Sequence, residues 1–161
     1  MFSVCDDDDH RYLTPLLKAL VSLVKTGGHP VAQTRALAAV AFVAEIVDDA
    51  FSPYYAGFMG VLKQVLAAPV RQETLELRGA AFIAVGKLGS CVGSEVFAPD
   101  AGAVMKAIFQ VLSTEGEARD NQTVPVMQCA CMICKTMGSA FTRFLPNMID
   151  ALLRQATQYV E

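Results

Sequence analysis

The stretch FSPYYAGFMGVLKQVL, residues 51–66, indicates the fold class of this 161-residue chain. Its apolar residues Phe58, Met59, Leu62 and Leu66 recur at three- and four-residue spacing, which is the pattern of a helix with one buried face. Similar stripes run along the rest of the chain between breakers that contain glycine and proline, among them stripes from about Asp100 to Thr114 and from about Val124 to Ala140. β-Branched residues form no alternating runs. We therefore predict an all-α protein of seven helices joined by short links.

The stripe of residues 51–66 is one copy of a pattern that repeats in register. The matching apolar pairs are Leu16-Leu17, Phe58-Met59, Val104-Met105 and Met148-Ile149, at steps of 42, 46 and 44 residues. The helices between these copies are rich in small residues, which allow close packing. A helical hairpin that repeats every 40 to 47 residues or so has the length of a HEAT or armadillo unit. The sequence thus predicts a HEAT-repeat superhelical solenoid, an α-α superhelix of about three and a half helical-hairpin repeats.

The predicted helices divide into A helices, which are even-numbered, and B helices, which are odd-numbered. Residues 1–30 would hold a leading B helix, and residues 31–70, 71–118 and 119–161 would each hold one repeat. Solenoids carry polar caps at their ends, but the first helix here is rich in leucine. We therefore expect a piece of a longer array, in which the acidic residues 6–9 form a loop between helices.

The amino-acid composition and net charge exclude several kinds of function. Hydrophobic residues make up 53% of the chain, charged residues 18%, and the net charge is −3. This excludes intrinsic disorder and argues against nucleic acid as a partner, because phosphate binding needs a basic stripe. The longest unbroken apolar run, residues 36–44, is far shorter than the ~20 residues of a membrane span, so no membrane insertion is predicted. The odd number of cysteines favours a reducing, intracellular compartment.

Cys131 and Cys134 form a C-x-x-C pattern on one face of a predicted helix. A structural zinc site needs four ligands, and neither a second such pair nor paired histidines is present. Both cysteines are therefore interpreted as small apolar residues that pack in the core, together with Cys129.

Gly86-Lys87 could indicate a phosphate-binding loop, but the next residue is Leu88 instead of serine or threonine. Gly86, Gly89 and Gly93 are better explained by close helix packing and a helix end. No grouping of serine, histidine and acid can be assembled from the two histidines of the chain. We predict no enzymatic activity, no catalytic residue, no cofactor and no metal.

The register that aligns the apolar pairs of the B helices also aligns polar positions beside them. We call these positions the candidate stripe: Lys18, Ser22, Gln64, Lys106, Gln110, Asp150 and Arg154. They form either an ordinary solvated helix surface or a ladder of contacts for an extended partner, which is how solenoids use their concave side.

Residues 51–66 resemble the F-x-P-Y-x-x-x-F-M-P-x-L helix entry of importin-β-type nuclear transport receptors, with Gly60 where that family often has proline. Residues 77–97 and 134–153 are similar to the next two repeats of the importin beta-3 branch. The resemblance covers nearly the whole chain in repeat order. It implies an array that wraps cargo on its B helices and offers grooves on its A helices to phenylalanine-glycine repeats of the nuclear pore. It also implies release of import cargo by GTP-bound Ran.

The leading hypothesis is a mid-chain segment of a nuclear transport receptor that shuttles between cytoplasm and nucleus. The implied partners are cargo proteins with basic nuclear localisation signals, pore proteins with phenylalanine-glycine repeats, and the Ran GTPase through parts of the parent outside this chain. A mild acidic charge favours lysine-rich signals. One alternative is a HEAT- or armadillo-type scaffold without a transport role. Another is a helical metal or redox protein that uses Cys131 and Cys134.

Overall fold

The computed structural model describes residues 10–26, 28–114 and 116–158, and the acidic residues 6–9 lie outside these ranges. Within them the chain is helical and contains no strand. The α-helices are α1 (His10–Lys25), α2 (Pro30–Val47), α3 (Ser52–Ala67), α4 (Leu75–Leu112), α5 (Glu117–Met137) and α6 (Leu145–Gln158). Short 3-10 turns lie at Asp48–Phe51, Gln72–Thr74 and Gly138–Phe144. The prediction of an all-α protein is confirmed.

Helix α4 is two helices that meet at a sharp bend. Gly93 has φ 76° and ψ 174°, which breaks the helical path between a first arm, residues 75–92, and a second arm, residues 94–112. The predicted helix end at Gly93 is therefore correct. Asp48 (φ 47°) and Gly138 (φ 53°) form corresponding bends after α2 and α5, at equal intervals along the chain. Positive φ favours glycine, and aspartate tolerates it better than most residues.

The helices form two layers, as expected for a HEAT-repeat solenoid. The A layer contains α2, the first arm of α4 and α5: Lys87 of the first arm pairs with Glu45 of α2 at 2.6 Å. On its other side, Gly79 lies against Pro125 of α5. The B layer contains α1, α3, the second arm of α4 and α6. The predicted limits of the individual repeats stay a prediction.

Each bend is followed by a buried phenylalanine that joins the two layers. Phe51, Phe97 and Phe141 occupy these positions, and all three are buried. Full burial of a phenylalanine side chain contributes roughly 1.5–3 kcal/mol. A small residue lies beside one of them: a Cβ atom on Gly89 would lie 2.9 Å from Cδ2 of Phe97. Gly86 likewise lies against Met132 of α5, which is the close helix packing predicted at these two glycines.

Two helices begin earlier than predicted. Helix α5 starts at Glu117 instead of near Val124, and the second arm of α4 starts directly after Gly93 instead of near Asp100. The first turn of α5 is polar, and that of the second arm, residues 94–97, holds two polar residues before Val96 and Phe97. Neither turn carries a full apolar period by which the sequence could locate it.

The apolar stripe is not fully buried at the two ends of the array. Leu16 of α1 is 47% exposed and Ile149 of α6 is 51% exposed. Their counterparts Val104 and Met105, in the middle of the B layer, are buried completely or nearly so. The pairs match in sequence but differ in burial, because α1 and α6 each have a described B-helix neighbour on one side only.

Three helical stretches are long and apolar enough to cross a membrane, judged by length and composition alone: Pro30–Ala67, Gln72–Leu112 and Asn121–Arg154. Each contains one of the three bends, so each folds back on itself as a hairpin. Their apolar side chains contribute to one continuous core that runs through both layers. Packing between helices buries 28%, 44% and 33% of the most apolar windows of the three stretches, in chain order.

Candidate functional site

Three open grooves lie along the B layer, two of them between neighbouring B helices and one that also borders the A layer. The first, of about 420 Å³, lies between α1, α3 and the start of α4. The second, of about 370 Å³, lies between α3 and the second arm of α4, and the third, of about 510 Å³, between that arm and α6. Lys106 and Gln110 line both the second and the third groove. We call the three grooves together the groove row.

All seven residues of the candidate stripe are exposed, and the structure brings some of them together. The third groove is lined by Lys106, Gln110, Asp150 and Arg154. Gln64 lines the first groove, whereas Lys18 and Ser22 do not line any of the three. The role of the stripe in binding stays a prediction.

Several groove residues were missed by the sequence analysis. Lys63 precedes Gln64 in α3 and lines the second groove, so a stripe one position wider would have included it. Arg71 lies in the link after α3, where no helical register applies, and lines the first groove. The aromatic residues Phe109 and Phe144 line the third groove.

The groove row is rich in positive charge, although the chain carries a net charge of −3. Among the described residues that line it, the cations are Lys25, Lys63, Arg71, Arg78, Lys106 and Arg154, and the only anion is Asp150. Lys63 is neutralised by Asp100, whose Oδ1 lies 2.6 Å from Nζ. Within the described part of the chain, neither Lys106 nor Arg154 forms an ion pair. These two exposed cations are therefore available to a partner.

Asp100 also joins α3 to the second arm of α4. The hydroxyl of Tyr55 donates a hydrogen bond of 2.8 Å to Oδ2 of Asp100. Burial raises the pKa of Tyr55, and the Asp100 carboxylate raises it further. Tyr55 therefore stays a neutral donor at physiological pH, and the contact fixes one wall of the second groove.

Arg78 is a buried cation with a structural role at the first groove. Only 4% of the residue is exposed, and burial lowers the pKa of its guanidinium. Its Nη1 donates to the carbonyl oxygens of Leu66 at 2.6 Å and Ala68 at 3.1 Å, and its Nε donates to Oε1 of Gln122 at 3.2 Å. A cation at the carboxyl end of a helix satisfies free carbonyls and complements the helix dipole. Arg78 thus connects α3, α4 and α5.

The cysteines are arranged differently from the prediction. Cys129 is fully buried as expected, but Cys131 and Cys134 are exposed, so the proposed packing of this pair is wrong. Both side chains lie on a part of α5 that no other described helix covers. Among the described residues, no group of three or more His, Cys, Asp or Glu side chains could hold a metal ion.

The burial of the cysteine thiols predicts the order in which they react with an alkylating reagent. Burial raises the pKa of Cys129 to about 12, and burial together with the nearby Asp48 carboxylate raises that of Cys91 to about 11. Because the thiolate is the reactive form, native protein at pH 8 should be alkylated at Cys131 and Cys134 only. Mass spectrometry of a Cys5→Ser variant after iodoacetamide treatment checks this. Rapid labelling of Cys129 without denaturant would contradict the buried position.

The fold defines a class of protein. A two-layer array of helical hairpins that repeat at equal intervals is a helical-repeat solenoid. Residues 7–161 match the family model described as importin subunit beta-1-like, TPR repeats, and the chain belongs to this family. The description uses the term TPR, but the interval between the bends in this chain has the length of a HEAT unit.

Two curated relatives support the assignment. The chain is 26% identical over 151 residues to the probable importin subunit beta-4 of Schizosaccharomyces pombe and 28% identical over 151 residues to importin subunit beta-3 of Saccharomyces cerevisiae. The alignments cover 91% and 92% of this chain, but only 14% of each relative. The predicted resemblance to the importin-β superfamily is confirmed, and so is the prediction that the chain is not an enzyme, since these relatives are importin subunits.

Proposed function

We propose that this chain is a segment of a nuclear transport receptor that binds cargo and carries it through the nuclear pore under the control of Ran. The observation that carries the proposal is the family match over residues 7–161. The groove row gives such a receptor a surface for an extended partner. The protein would then shuttle between cytoplasm and nucleus.

The partners of the proposed receptor fall into three groups. Cargo would contact the B layer, pore proteins with phenylalanine-glycine repeats would contact the A layer, and Ran would bind parts of the parent outside this chain. The charged residues that line the groove row are mainly cations, so it does not favour a lysine-rich signal. Basic localisation signals of a cargo would therefore be held on surfaces of the receptor outside these three grooves.

Three measurements test the transport role. An immunoblot of cell lysate with an antibody against this segment should show a product several times larger than 17.3 kDa, present in cytoplasmic and nuclear fractions. That product should be retained on beads that carry phenylalanine-glycine repeats and lost from matched beads in which serine replaces each phenylalanine. Added Ran loaded with a GTP analogue should release bound import cargo.

Negative results in these measurements would favour the alternative of a scaffold without a transport role. A product that binds neither bead type, and whose bound partners are not released by Ran, has no transport role. It would then be a HEAT- or armadillo-type adaptor that uses the same surfaces to hold protein complexes together.

A further inference from the structure

We propose that the groove row binds an acidic, extended polypeptide segment, whose carboxylates pair with Lys106 and Arg154 and whose apolar side chains occupy the floors of the grooves. The proposal rests on the proposed function, in which the B layer holds a partner, and it names the chemical class of that partner.

The distribution of charge is the main argument. The groove lining holds more cations than anions in a chain that is acidic as a whole. Two of these cations are already engaged, since Arg78 binds backbone carbonyls and Lys63 binds Asp100. Lys106 and Arg154 remain exposed on opposite sides of the third groove, without an ion pair in the described part of the chain. A partner with carboxylates would complement them.

The apolar floor of the third groove adds a second requirement for the bound segment, which must also carry apolar side chains. Met105, Phe109, Leu112 and Phe144 lie between the polar rims, and Phe109 is only partly buried. A groove with an apolar floor and a charged rim suits a peptide that alternates acidic and apolar side chains, because an extended chain presents successive side chains to opposite sides.

Geometry gives the length of the segment. Packed helices lie roughly 8–10 Å apart, so a segment that crosses the groove row spans roughly 20–30 Å. An extended chain covers about 3.3 Å per residue, so about six to nine residues suffice. The basic lining is interrupted, because the anion Asp150 lies beside Lys106 and Arg154 in the third groove and Lys63 in the second is already paired with Asp100. A nucleic acid would need a continuous basic stripe, so the arrangement favours an acidic protein segment.

Fluorescence anisotropy with the purified full chain tests the proposal. The probe is a labelled twelve-residue peptide of alternating glutamate with phenylalanine or glycine. It should bind, and binding should weaken as salt is raised. The double charge reversal Lys106→Glu with Arg154→Glu should weaken binding about tenfold, since each reversal replaces an attraction with a repulsion. The matched control reverses two exposed cations of the A layer, Arg35→Glu with Lys135→Glu, and should change affinity less than about twofold.

Several outcomes would overturn the proposal. These are no binding of the acidic peptide, equal binding of a peptide with lysine in place of glutamate, or equal loss in the control variant. Tighter binding of a twelve-nucleotide single strand, lost in the Lys106 and Arg154 variant, would assign the groove row to nucleic acid instead. The bead and Ran measurements do not use this peptide, so failure of one proposal is distinguishable from failure of the other.

Discussion

Replacing Arg78 with methionine is expected to lower the free energy of unfolding by about 3 kcal/mol and the melting temperature by about 10 °C. Arg78 is the buried donor for the carbonyl oxygens of Leu66 and Ala68 at the end of α3, and for Gln122 of α5. Methionine fills a similar volume but leaves these acceptors without the donor. Each buried acceptor that loses its partner costs roughly 1–3 kcal/mol, which exceeds the gain from no longer burying a charge.

Urea unfolding followed by circular dichroism measures this change. The control is Arg35→Met, the same substitution at an exposed position of α2, which should stay within about 0.5 kcal/mol of the unmodified protein. Arg78→Lys should lose an intermediate amount, because an ammonium group lacks the planar fork of donors that reaches several acceptors at once. Equal stability of Arg78→Met and Arg35→Met would show that the contacts of Arg78 do not hold the three helices together.

The sequence predicted the helical class because apolar periodicity directly reflects which side of each helix is buried. Leu62 and Ile108, for example, occupy equivalent positions and are both fully buried. It predicted the bend at Gly93 for a similar reason, since the glycine follows the end of a small-residue helix. Asp48, which adopts the corresponding conformation after α2, was not recognised, because aspartate is far less specific for positive φ than glycine.

The groove row was harder to predict than the fold. Its lining depends on which side chains from different helices converge, and Arg71 and Lys25 carry no periodic signal that would group them. Exposure was also misjudged for Cys131 and Cys134, because a small side chain is equally acceptable on a packed and on an open helix face. Local pattern determines the layers, while the charge of a groove emerges only when neighbouring repeats are packed together.

Gly89→Ala is expected to lower the free energy of unfolding by about 2–3 kcal/mol, although alanine is the better helix former by about 1 kcal/mol. A Cβ atom at this position would lie 2.9 Å from Cδ2 of Phe97 and 3.0 Å from Cε2. The ring of Phe97 is fully buried at the bend between the two arms of α4, so it has no open space to move into. The added methyl group must therefore push the arms apart or strain the ring.

The matched control is Gly60→Ala in the middle of α3, where a Cβ atom meets nothing within 4 Å. This substitution should raise the free energy of unfolding by about 0.5–1 kcal/mol, because it only removes the entropic cost of a helical glycine. If the packing at the bend is as described, thermal unfolding of the two variants should show changes in the free energy of unfolding that have opposite signs. A double-mutant cycle with Phe97→Leu sharpens the comparison, since the smaller side chain should reduce the cost of Ala at position 89. If Gly89→Ala and Gly60→Ala both stabilise the protein, the two arms of α4 do not pack closely at this bend. The interval between the bends along the chain would then be set by something other than this packing.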